Sequence, residues 1–356
     1  MSHVRNQSPV ISLDDVTVSF EETGGLNPFV RPDVVRAVDG VDLDIGDNDV
    51  LALVGESGCG KTTLGKTAIG LQNPTSGSVR FKGQDIQAAQ SGFKGDVDVP
   101  YDQIRRSLQI IHQDPGGALN PNRKVMTSLG APLKKWSPGL TRDERKEKIL
   151  SMLERVGMMP PEAYARRYPH QLSGGEKQRV VLIRALMMNP DLILADEAIS
   201  ALDVSLRVDM MDLMLELQDE FDTSFLFISH DLSNARYLAK HGDGRIGVMY
   251  LGQIVEIGTA EEIISNPSHP YTKVLRWATP KIDPDAETAD EAPIRKIDIP
   301  DPVDPPSGCR FHTRCPEARP ACRETKPPQY EASDGTVACF REDETHEYWD
   351  QEPLTD

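Results

Sequence analysis

The spacing of apolar and polar residues predicts strands alternating with helices along most of the chain. Residues 10–20 and 34–45 alternate between apolar and polar side chains, which is typical of half-exposed strands. Residues 50–54 (VLALV) and 225–229 (FLFIS) are almost wholly apolar, as parallel strands buried on both faces are. Strands of these two kinds, separated by helical segments, predict an α/β fold with a mostly parallel sheet.

Helices are predicted at three places between these strands. One begins at about Thr62, and another begins at the run LSGGE (residues 172–176) and continues to Leu186. A further helix starts at Thr141, because Thr141 and Glu144 have the spacing of a capping box and an apolar stripe follows them.

Two segments depart from this alternation. Residues 84–106 show no clear period and are predicted to be an irregular insertion. Residues 281–307 are rich in Asp, Glu and Pro, which predicts a linker or a loosely ordered arm. Four of the five cysteines lie beyond it. The composition therefore indicates a large domain followed by a smaller appendage that carries these cysteines.

The charge balance narrows the class of partner. The chain has 39 Lys and Arg against 56 Asp and Glu, a net charge of −17, which argues against a nucleic-acid or anionic-lipid binder. The acidic excess is either a solubilising surface or an adaptation to high salt, where screening weakens repulsion between acids. No secretory signal and no run of ~18–20 apolar residues is seen, so we expect a soluble chain that meets a membrane through partners.

The segment GESGCGKTT (residues 55–63) fits a phosphate-binding loop, since it follows a buried strand and opens a helix. Its backbone N–H groups and the helix N-terminus would surround phosphate, Lys61 would reach the β- and γ-phosphates, and the Thr62 hydroxyl would ligate Mg²⁺. The residues expected to contact nucleotide are Gly55, Ser57, Gly58, Cys59, Gly60, Lys61, Thr62 and Thr63.

Two adjacent acids end the apolar run of residues 192–195. Asp196 is expected to hold Mg²⁺, and Glu197 is expected to orient and polarise the attacking water. Together with the phosphate loop and LSGGE, these acids resemble the motifs of the ATP-binding cassette (ABC) ATPases. The resemblance runs from Leu13 to about Gly258 with each motif in its usual order.

That resemblance implies a P-loop NTPase (RecA-like) core with a parallel sheet, an antiparallel β subdomain and an α-helical signature subdomain, plus a small Cys-rich extension. It implies that Gln113 touches Mg²⁺ and senses membrane subunits, and that His230 hydrogen-bonds the γ-phosphate. The signature residues Ser173, Gly174 and Gly175 match those that contact the γ-phosphate held by a partner subunit.

Other family positions carry further assignments, and two of them depart from the usual residue. Asp203 matches the loop at the dimer seam, and Phe20 matches the aromatic residue that stacks on adenine, with a core role as the alternative. Ala198 stands where a proline is usual, and His112 stands where an aromatic residue is common. Neither departure removes a catalytic group, so we expect Glu197, His230, Gln113 and Lys61 to support hydrolysis.

The C-terminal part narrows the subfamily. The segments NPSHPYT (residues 266–272) and GCRFHTRCP (residues 308–316) resemble the extension of the oligopeptide/dipeptide importer ATPases, and YLGQIVEIG (residues 250–258) favours their F-type subunit. The resemblance implies an ATPase domain over residues 1–265 and a C-terminal extension over residues 266–356. This implies a heterodimer with a homologous ATPase, two transmembrane permease subunits, an external binding protein and a peripheral position at the cytoplasmic face of the membrane. Importers of oligosaccharides or nickel are alternatives, as is a soluble ABC protein acting on ribosomes or DNA.

The cysteine cluster has an open interpretation. The cluster comprises Cys309, Cys315, Cys322 and Cys339 and contains no CxxC pair. Spacing alone therefore favours zinc and an iron–sulfur cluster equally, and free thiols are the less favoured third interpretation. The resembling family includes members with a four-iron cluster at these positions, which favours [4Fe–4S] over zinc. The expected ligands of the whole chain are thus ATP, Mg²⁺ and a metal centre in the extension.

Overall fold

Strands and helices alternate along the chain in the predicted order. The computed structural model describes residues 9–22, 33–92, 98–279 and 292–354. Its strands are β1 (Ile11–Glu22), β2 (Asp33–Ile45), β3 (Val50–Val54), β4 (Ser76–Phe81), β5 (Gln84–Asp85), β6 (Leu108–Ile111), β7 (Leu192–Asp196), β8 (Ser224–Ile228), β9 (Arg245–Tyr250), β10 (Gln253–Thr259), β11 (Tyr330–Ala332) and β12 (Gly335–Val337).

The helices connect these strands and dominate the middle of the chain. They are α1 (Lys61–Ala68), α2 (Ile86–Ser91), α3 (Tyr101–Ser107), α4 (Pro115–Ala118), α5 (Val125–Trp136), α6 (Arg142–Arg155), α7 (Pro161–Arg166), α8 (Gly174–Leu186), α9 (Val204–Phe221), α10 (Leu232–His241), α11 (Ala260–Ser265), α12 (Pro270–Ala278) and α13 (Pro320–Glu324). Over the described ranges, no helix combines the length and apolar character needed to cross a bilayer.

The described residues form two compact units that are discontinuous in sequence. The signature unit comprises the described residues of Met1–Ile11, Ile45–Asp49 and Arg80–Ile228. The phosphate-loop unit comprises those of Ser12–Asp44, Val50–Val79 and Ser229–Asp356. The division at residue 265 expected from the sequence stays a prediction.

The signature unit is built on a parallel sheet in which β7 lies between β6 and β8. Leu192 of β7 pairs with Leu108 on one side and with Ser224 on the other. Every residue of β7 and β8 is buried, which explains why both strands read as continuous apolar runs.

Helix α6 of the signature unit confirms the predicted capping box. The Thr141 hydroxyl accepts the Glu144 N–H (3.3 Å), and the Glu144 carboxylate accepts the Thr141 N–H (2.6 Å). Ile149 and Leu153 of the predicted stripe are buried. The helix therefore starts at a local hydrogen-bond motif and is held by its apolar face.

The prediction of an irregular insertion at residues 84–106 is wrong, because the segment contains β5, α2 and most of α3; residues 93–97 lie outside the described residues. Helix α2 is started by Asp85, whose side chain accepts the Ala88 N–H (2.8 Å). Helices of six and seven residues are too short to show a period of 3.6, so the apolar pattern could not reveal them.

The phosphate-loop unit carries the strand that leads into the nucleotide motif. Strand β3 pairs in parallel with β9, which pairs antiparallel with β10, and β1 lies between β2 and β4. In β2 the predicted alternation is confirmed, with Val41 and Leu43 buried and Asp42 and Asp44 exposed. Parallel strands with helices and antiparallel strands confirm the predicted α/β class.

The C-terminal extension adds the hairpin β11–β12 to the edge of β10. Glu256 and Ile257 of β10 pair with Val337 and Thr336 of β12. A Cβ on Gly335 would lie 1.9 Å from the Ile257 carbonyl oxygen, so only glycine allows this approach. Of the predicted linker, residues 281–291 lie outside the described residues, and residues 292–307 lie in no helix or strand.

Candidate functional site

The predicted phosphate loop joins β3 to α1. Gly58 and Gly60 have φ angles of 80° and 106°, in the region that favours glycine. A Cβ on Gly55 would lie 2.1 Å from the Met249 carbonyl oxygen, and one on Gly60 would lie 2.0 Å from that of Ala37. The loop therefore needs glycine at both ends because backbone packs directly against it.

Lys61 begins α1 and turns back over the loop. Its Nζ donates to the carbonyl oxygens of Gly55 (2.8 Å) and Glu56 (2.9 Å), and the side chain is 5 % exposed. An ammonium group beside a helix N-terminus can bind an anion, because both carry positive charge. This is the arrangement expected of a site for polyphosphate.

The remaining loop residues frame this lysine. Ser57 is exposed, and Thr62 and Thr63 lie half-buried in the first turn of α1. Burial raises the pKa of the Cys59 thiol, and nearby Lys61 only partly opposes the shift. The Cys59 side chain is buried, and the predicted contact of this residue with nucleotide stays a prediction.

Sequence reasoning missed two residues that hold the loop from the C-terminal extension. Arg314 makes a bidentate ion pair with Glu56, at 2.8 and 3.0 Å, and the Tyr271 hydroxyl accepts the Glu56 N–H at 2.9 Å. Both residues belong to the motifs from which the subfamily was inferred, and nothing in the spacing pointed to the loop.

His230 belongs to the phosphate-loop unit and lies between two residues that hydrogen bonds hold in place. The Ser229 N–H donates to the Leu53 carbonyl oxygen (3.1 Å), and the Asp231 side chain caps α10 by accepting the Ser233 N–H (2.8 Å). The His230 side chain is exposed between these two fixed points. Its role toward the γ-phosphate stays a prediction.

The paired acids lie at the end of β7 in the signature unit. Asp196 is 8 % exposed. Glu197 has a φ angle of 49°, which is uncommon for a residue with a long side chain. Its N–H donates to the Ile228 carbonyl oxygen (3.1 Å), and its carbonyl oxygen accepts the Ser200 hydroxyl (2.9 Å). Such backbone strain clusters at functional sites and persists where neighbours fix it.

The LSGGE run forms the N-terminus of α8. The Ser173 hydroxyl accepts the Glu176 N–H (3.2 Å), while the Glu176 carboxylate accepts the Ser173 N–H (2.7 Å) and the Tyr164 hydroxyl (2.8 Å). Ser173 and Gly174 are exposed, and Gly175 is half-buried. The cap uses the serine oxygen as an acceptor and leaves the hydroxyl proton able to donate to a ligand.

Two exposed residues complete the predicted set in the signature unit. Gln113 follows β6, and Asp203 precedes α9. The segment before Asp203 is fixed by Arg207, which donates to the carbonyl oxygens of Leu202 (2.8 Å) and Ser200 (3.1 Å).

The remaining assignments differ in exposure. Phe20 on β1 is 42 % exposed, so it does not serve the core, and its contact with adenine stays a prediction. Ala198, at the usual proline position, is 4 % exposed, whereas His112 is exposed.

The four C-terminal cysteines line one small cavity, together with His269, His312 and Tyr348 among others. Burial raises the pKa of each thiol, to about 12 for Cys315 and Cys339. Within the described part of the chain, no group of three or more His, Cys, Asp or Glu side chains is arranged to hold a metal ion. Four thiols around one cavity suit a soft metal centre, and their binding of one stays a prediction.

The fold and these motifs define the class of the protein. A glycine-rich phosphate loop after a buried parallel strand, acids ending a second such strand and an LSGGE helix are the marks of an ABC ATPase. Residues 38–200 match the model of the ABC transporter family, and residues 255–322 match that of the oligopeptide/dipeptide transporter C-terminal region.

Full-length relatives sharpen this class. The chain is 42 % identical to the oligopeptide transport ATP-binding protein AppF of Bacillus subtilis, over 94 % of this chain and 98 % of that protein. It is 40 % identical to the dipeptide transport ATP-binding protein DppF of Haemophilus influenzae, over 96 % and 99 %. The chain belongs to the oligopeptide/dipeptide family of ABC transporter ATP-binding proteins.

Solved structures agree on the fold. The cbiO1 protein of Clostridium perfringens, part of the ABC transporter complex cbiONQ, aligns with a TM-score of 0.59 at 24 % identity, over 76 % of this chain and 96 % of that one. The ATP-binding cassette MJ0796, solved as a dimer bound to ADP and Pi, aligns with a TM-score of 0.57 at 26 % identity, over 70 % and 98 %. The predicted P-loop NTPase fold is confirmed.

Proposed function

We propose that this chain is the ATP-hydrolysing subunit of an ABC importer for oligopeptides or dipeptides. The observation that carries the proposal is the match to peptide transport ATP-binding proteins over nearly the whole chain, including the C-terminal region at residues 255–322. The relatives reported above are F-type proteins by name, which supports the same subunit type here. Import of oligosaccharides or nickel, or a soluble role, has no comparable support.

Each predicted site residue has a role in this proposal. Lys61 binds the β- and γ-phosphates, and His230 donates to the γ-phosphate. Glu197 orients and polarises the attacking water. Thr62, Gln113 and Asp196 would hold Mg²⁺, which would supply positive charge beside the phosphates. Catalysis then consists of positioning and charge stabilisation.

The signature helix supports a dimeric mechanism. Ser173 retains a hydroxyl proton for an acceptor outside its own helix, which suits a γ-phosphate carried by another subunit. We propose a non-identical, homologous ATPase as that partner, with Asp203 at the seam. Two permease subunits and an external binding protein complete the assembly, and the chain lies peripherally at the cytoplasmic face of the membrane.

Purified subunits test this proposal. The chain alone should bind ATP and hydrolyse it slowly, whereas reconstitution with the homologous ATPase and the permeases should accelerate hydrolysis and support peptide uptake into vesicles. Glu197→Gln should bind ATP as wild type does and lose turnover. Fast hydrolysis by the isolated chain would contradict the heterodimer, and ATP-driven uptake of sugars or nickel instead of peptides would contradict the substrate class.

We also propose that the thiols of Cys309, Cys315, Cys322 and Cys339 hold a structural metal centre, with an iron–sulfur cluster favoured over zinc. The support is a donor set of four thiols around one cavity. No step of hydrolysis involves this centre. Anaerobically purified protein should be brown and bleach on reduction, with iron and sulfide in equal amounts. Colourless protein with one zinc per chain would support the alternative, and protein without either metal would refute both.

A further inference from the structure

Glu56 is held at all its polar groups. Its carboxylate accepts two hydrogen bonds from Arg314, at 2.8 and 3.0 Å, and its N–H donates to the Tyr271 hydroxyl at 2.9 Å. Its carbonyl oxygen accepts Lys61 Nζ at 2.9 Å. One residue of the phosphate loop is thus tied both to the C-terminal extension and to the lysine that binds phosphate.

The extension presents Arg314 in a fixed position. The Arg314 side chain is 4 % exposed, its Nε donates to the Lys296 carbonyl oxygen (3.3 Å), and Nη1 lies 3.3 Å from the Tyr250 hydroxyl. The guanidinium group also lies over the ring of Phe311, 5.6 Å from its centroid. A partly buried bidentate pair of this kind has little freedom to shift, so the loop and the extension are expected to move together.

Arg314 also affects the electrostatic potential of the phosphate loop, because it pairs with the negative charge of Glu56. An uncompensated carboxylate on the loop would repel the phosphates and compete with them for Lys61. Arg314 neutralises that carboxylate through two hydrogen bonds. Loss of Arg314 would therefore loosen the loop and make its potential less favourable to an anion.

We propose that Arg314 and Tyr271 are positioning residues for the phosphate loop, through which the C-terminal extension sets the affinity for nucleotide. The proposal rests on the function proposed above. Because coupling between two sites is reciprocal, bound nucleotide should also make the extension more rigid. Arg314 lies directly before Cys315, so this rigidity extends into the cysteine-bearing segment.

Binding of Mg-ADP to the full chain, followed by calorimetry, tests the proposal. Arg314→Ala should weaken binding on the order of tenfold, within the usual range of coupling between sites. In a Glu56→Gln background the same substitution should weaken binding by less than about threefold, since no carboxylate is then left unpaired. Arg314→Ala weakening binding equally in both backgrounds would contradict a route through Glu56.

Arg310 supplies a matched control. It pairs with Asp39 at 2.6 Å, and the two side chains are 6 % and 20 % exposed, against 4 % and 24 % for Arg314 and Glu56. Arg310→Ala should lower the unfolding midpoint as Arg314→Ala does, but change the Kd for Mg-ADP by no more than about twofold. Equal loss of affinity in both variants would show a merely structural effect and overturn the proposal.

A milder variant keeps the proposal testable where Arg314→Ala fails to fold. Tyr271→Phe keeps the buried ring and removes only the hydroxyl that accepts the Glu56 N–H, so it should also weaken Mg-ADP binding. In wild type, Mg-ADP should slow hydrogen exchange in residues 309–315, and Tyr271→Phe should reduce this effect. Wild-type affinity in Tyr271→Phe would overturn the inference, whereas a wild-type chain that binds no Mg-ADP would refute the proposed function itself.

Discussion

Replacement of Glu176 by alanine should destabilise the start of the signature helix α8. The carboxylate accepts hydrogen bonds from the Ser173 N–H (2.7 Å) and the Tyr164 hydroxyl (2.8 Å), and it lies 3.6 Å from an Arg167 nitrogen. Burial raises the pKa of Glu176, but the hydrogen bonds from Ser173 and Tyr164 outweigh burial and hold the pKa below its ordinary value of 4.5. The folded chain therefore favours the charged form.

The expected loss follows from these contacts. Half of a capping box contributes about 1 kcal/mol, and the tyrosine hydrogen bond to a charged group contributes about 1.5 kcal/mol. The Arg167 pair adds little, since both side chains are more than a quarter exposed. We expect Glu176→Ala to lower the free energy of unfolding by about 2.5 kcal/mol at neutral pH.

Urea unfolding of the full chain, followed by circular dichroism, measures this difference, with Glu176→Gln as the control that keeps an acceptor for Ser173. Because the folded-state pKa is lowered, the contribution of the carboxylate is present above the unfolded pKa of 4.5 and is lost as the pH falls through the folded value. The two variants should therefore differ less from wild type in acid. An alanine variant within about 0.5 kcal/mol of wild type at neutral pH would refute the reasoning.

Three further predictions concern the loop, a buried acid and the surface. Gly55→Ala should abolish Mg-ADP binding, because its Cβ would lie 2.1 Å from the Met249 carbonyl oxygen. Gly58→Ala should weaken binding without abolishing it, because its Cβ would meet nothing within 4 Å. Equal affinities of the two variants for Mg-ADP in a titration would contradict this prediction. Burial raises the pKa of Glu256. The contribution of this carboxyl to the free energy of unfolding should therefore be complete below the ordinary pKa of 4.5 and should be lost as the pH rises through the folded-state pKa. The Glu256→Gln variant should not lose stability in this way. Unfolding midpoints that change in parallel for wild type and the variant between about pH 5 and 8 would refute the prediction. If the acidic surface is adapted to high salt, the unfolding midpoint should rise from about 0.1 M to about 2 M KCl, and an unchanged midpoint would count against that adaptation.

Local motifs explain why much of the candidate site could be predicted from sequence. The capping box of α8 lies within four consecutive residues, and the glycines of the phosphate loop lie within six. In both cases the residues that interact are near neighbours in the chain, so their spacing reveals the contact. The apolar runs of β3 and β7 are equally local, because burial on both faces needs only the composition of the strand itself.

Contacts between distant segments could not be predicted in this way. Arg314 and Glu56 are 258 residues apart, and their pairing depends on the path of the whole phosphate-loop unit. The pairing of β12 with β10 is similar, since β12 has only three residues and carries no alternation of its own. The sequence therefore marked the extension as a family feature without indicating that it contacts the nucleotide motif.

Nucleotide binding should affect the two groups of contacts around Glu56 differently. One group consists of the hydrogen bonds from Lys61, and the other consists of the contacts with Arg314 and Tyr271. Lys61 donates to two carbonyl oxygens of the loop itself, and a bound phosphate would draw that ammonium group away from them. The loop then loses internal hydrogen bonds at the moment when its backbone N–H groups must hold their positions toward phosphate. The contacts of Glu56 with Arg314 and Tyr271 do not involve the lysine, so we expect them to persist through this exchange. A loop braced from outside can release its own lysine without changing shape, and this requirement gives a physical reason for the extension to reach the phosphate loop.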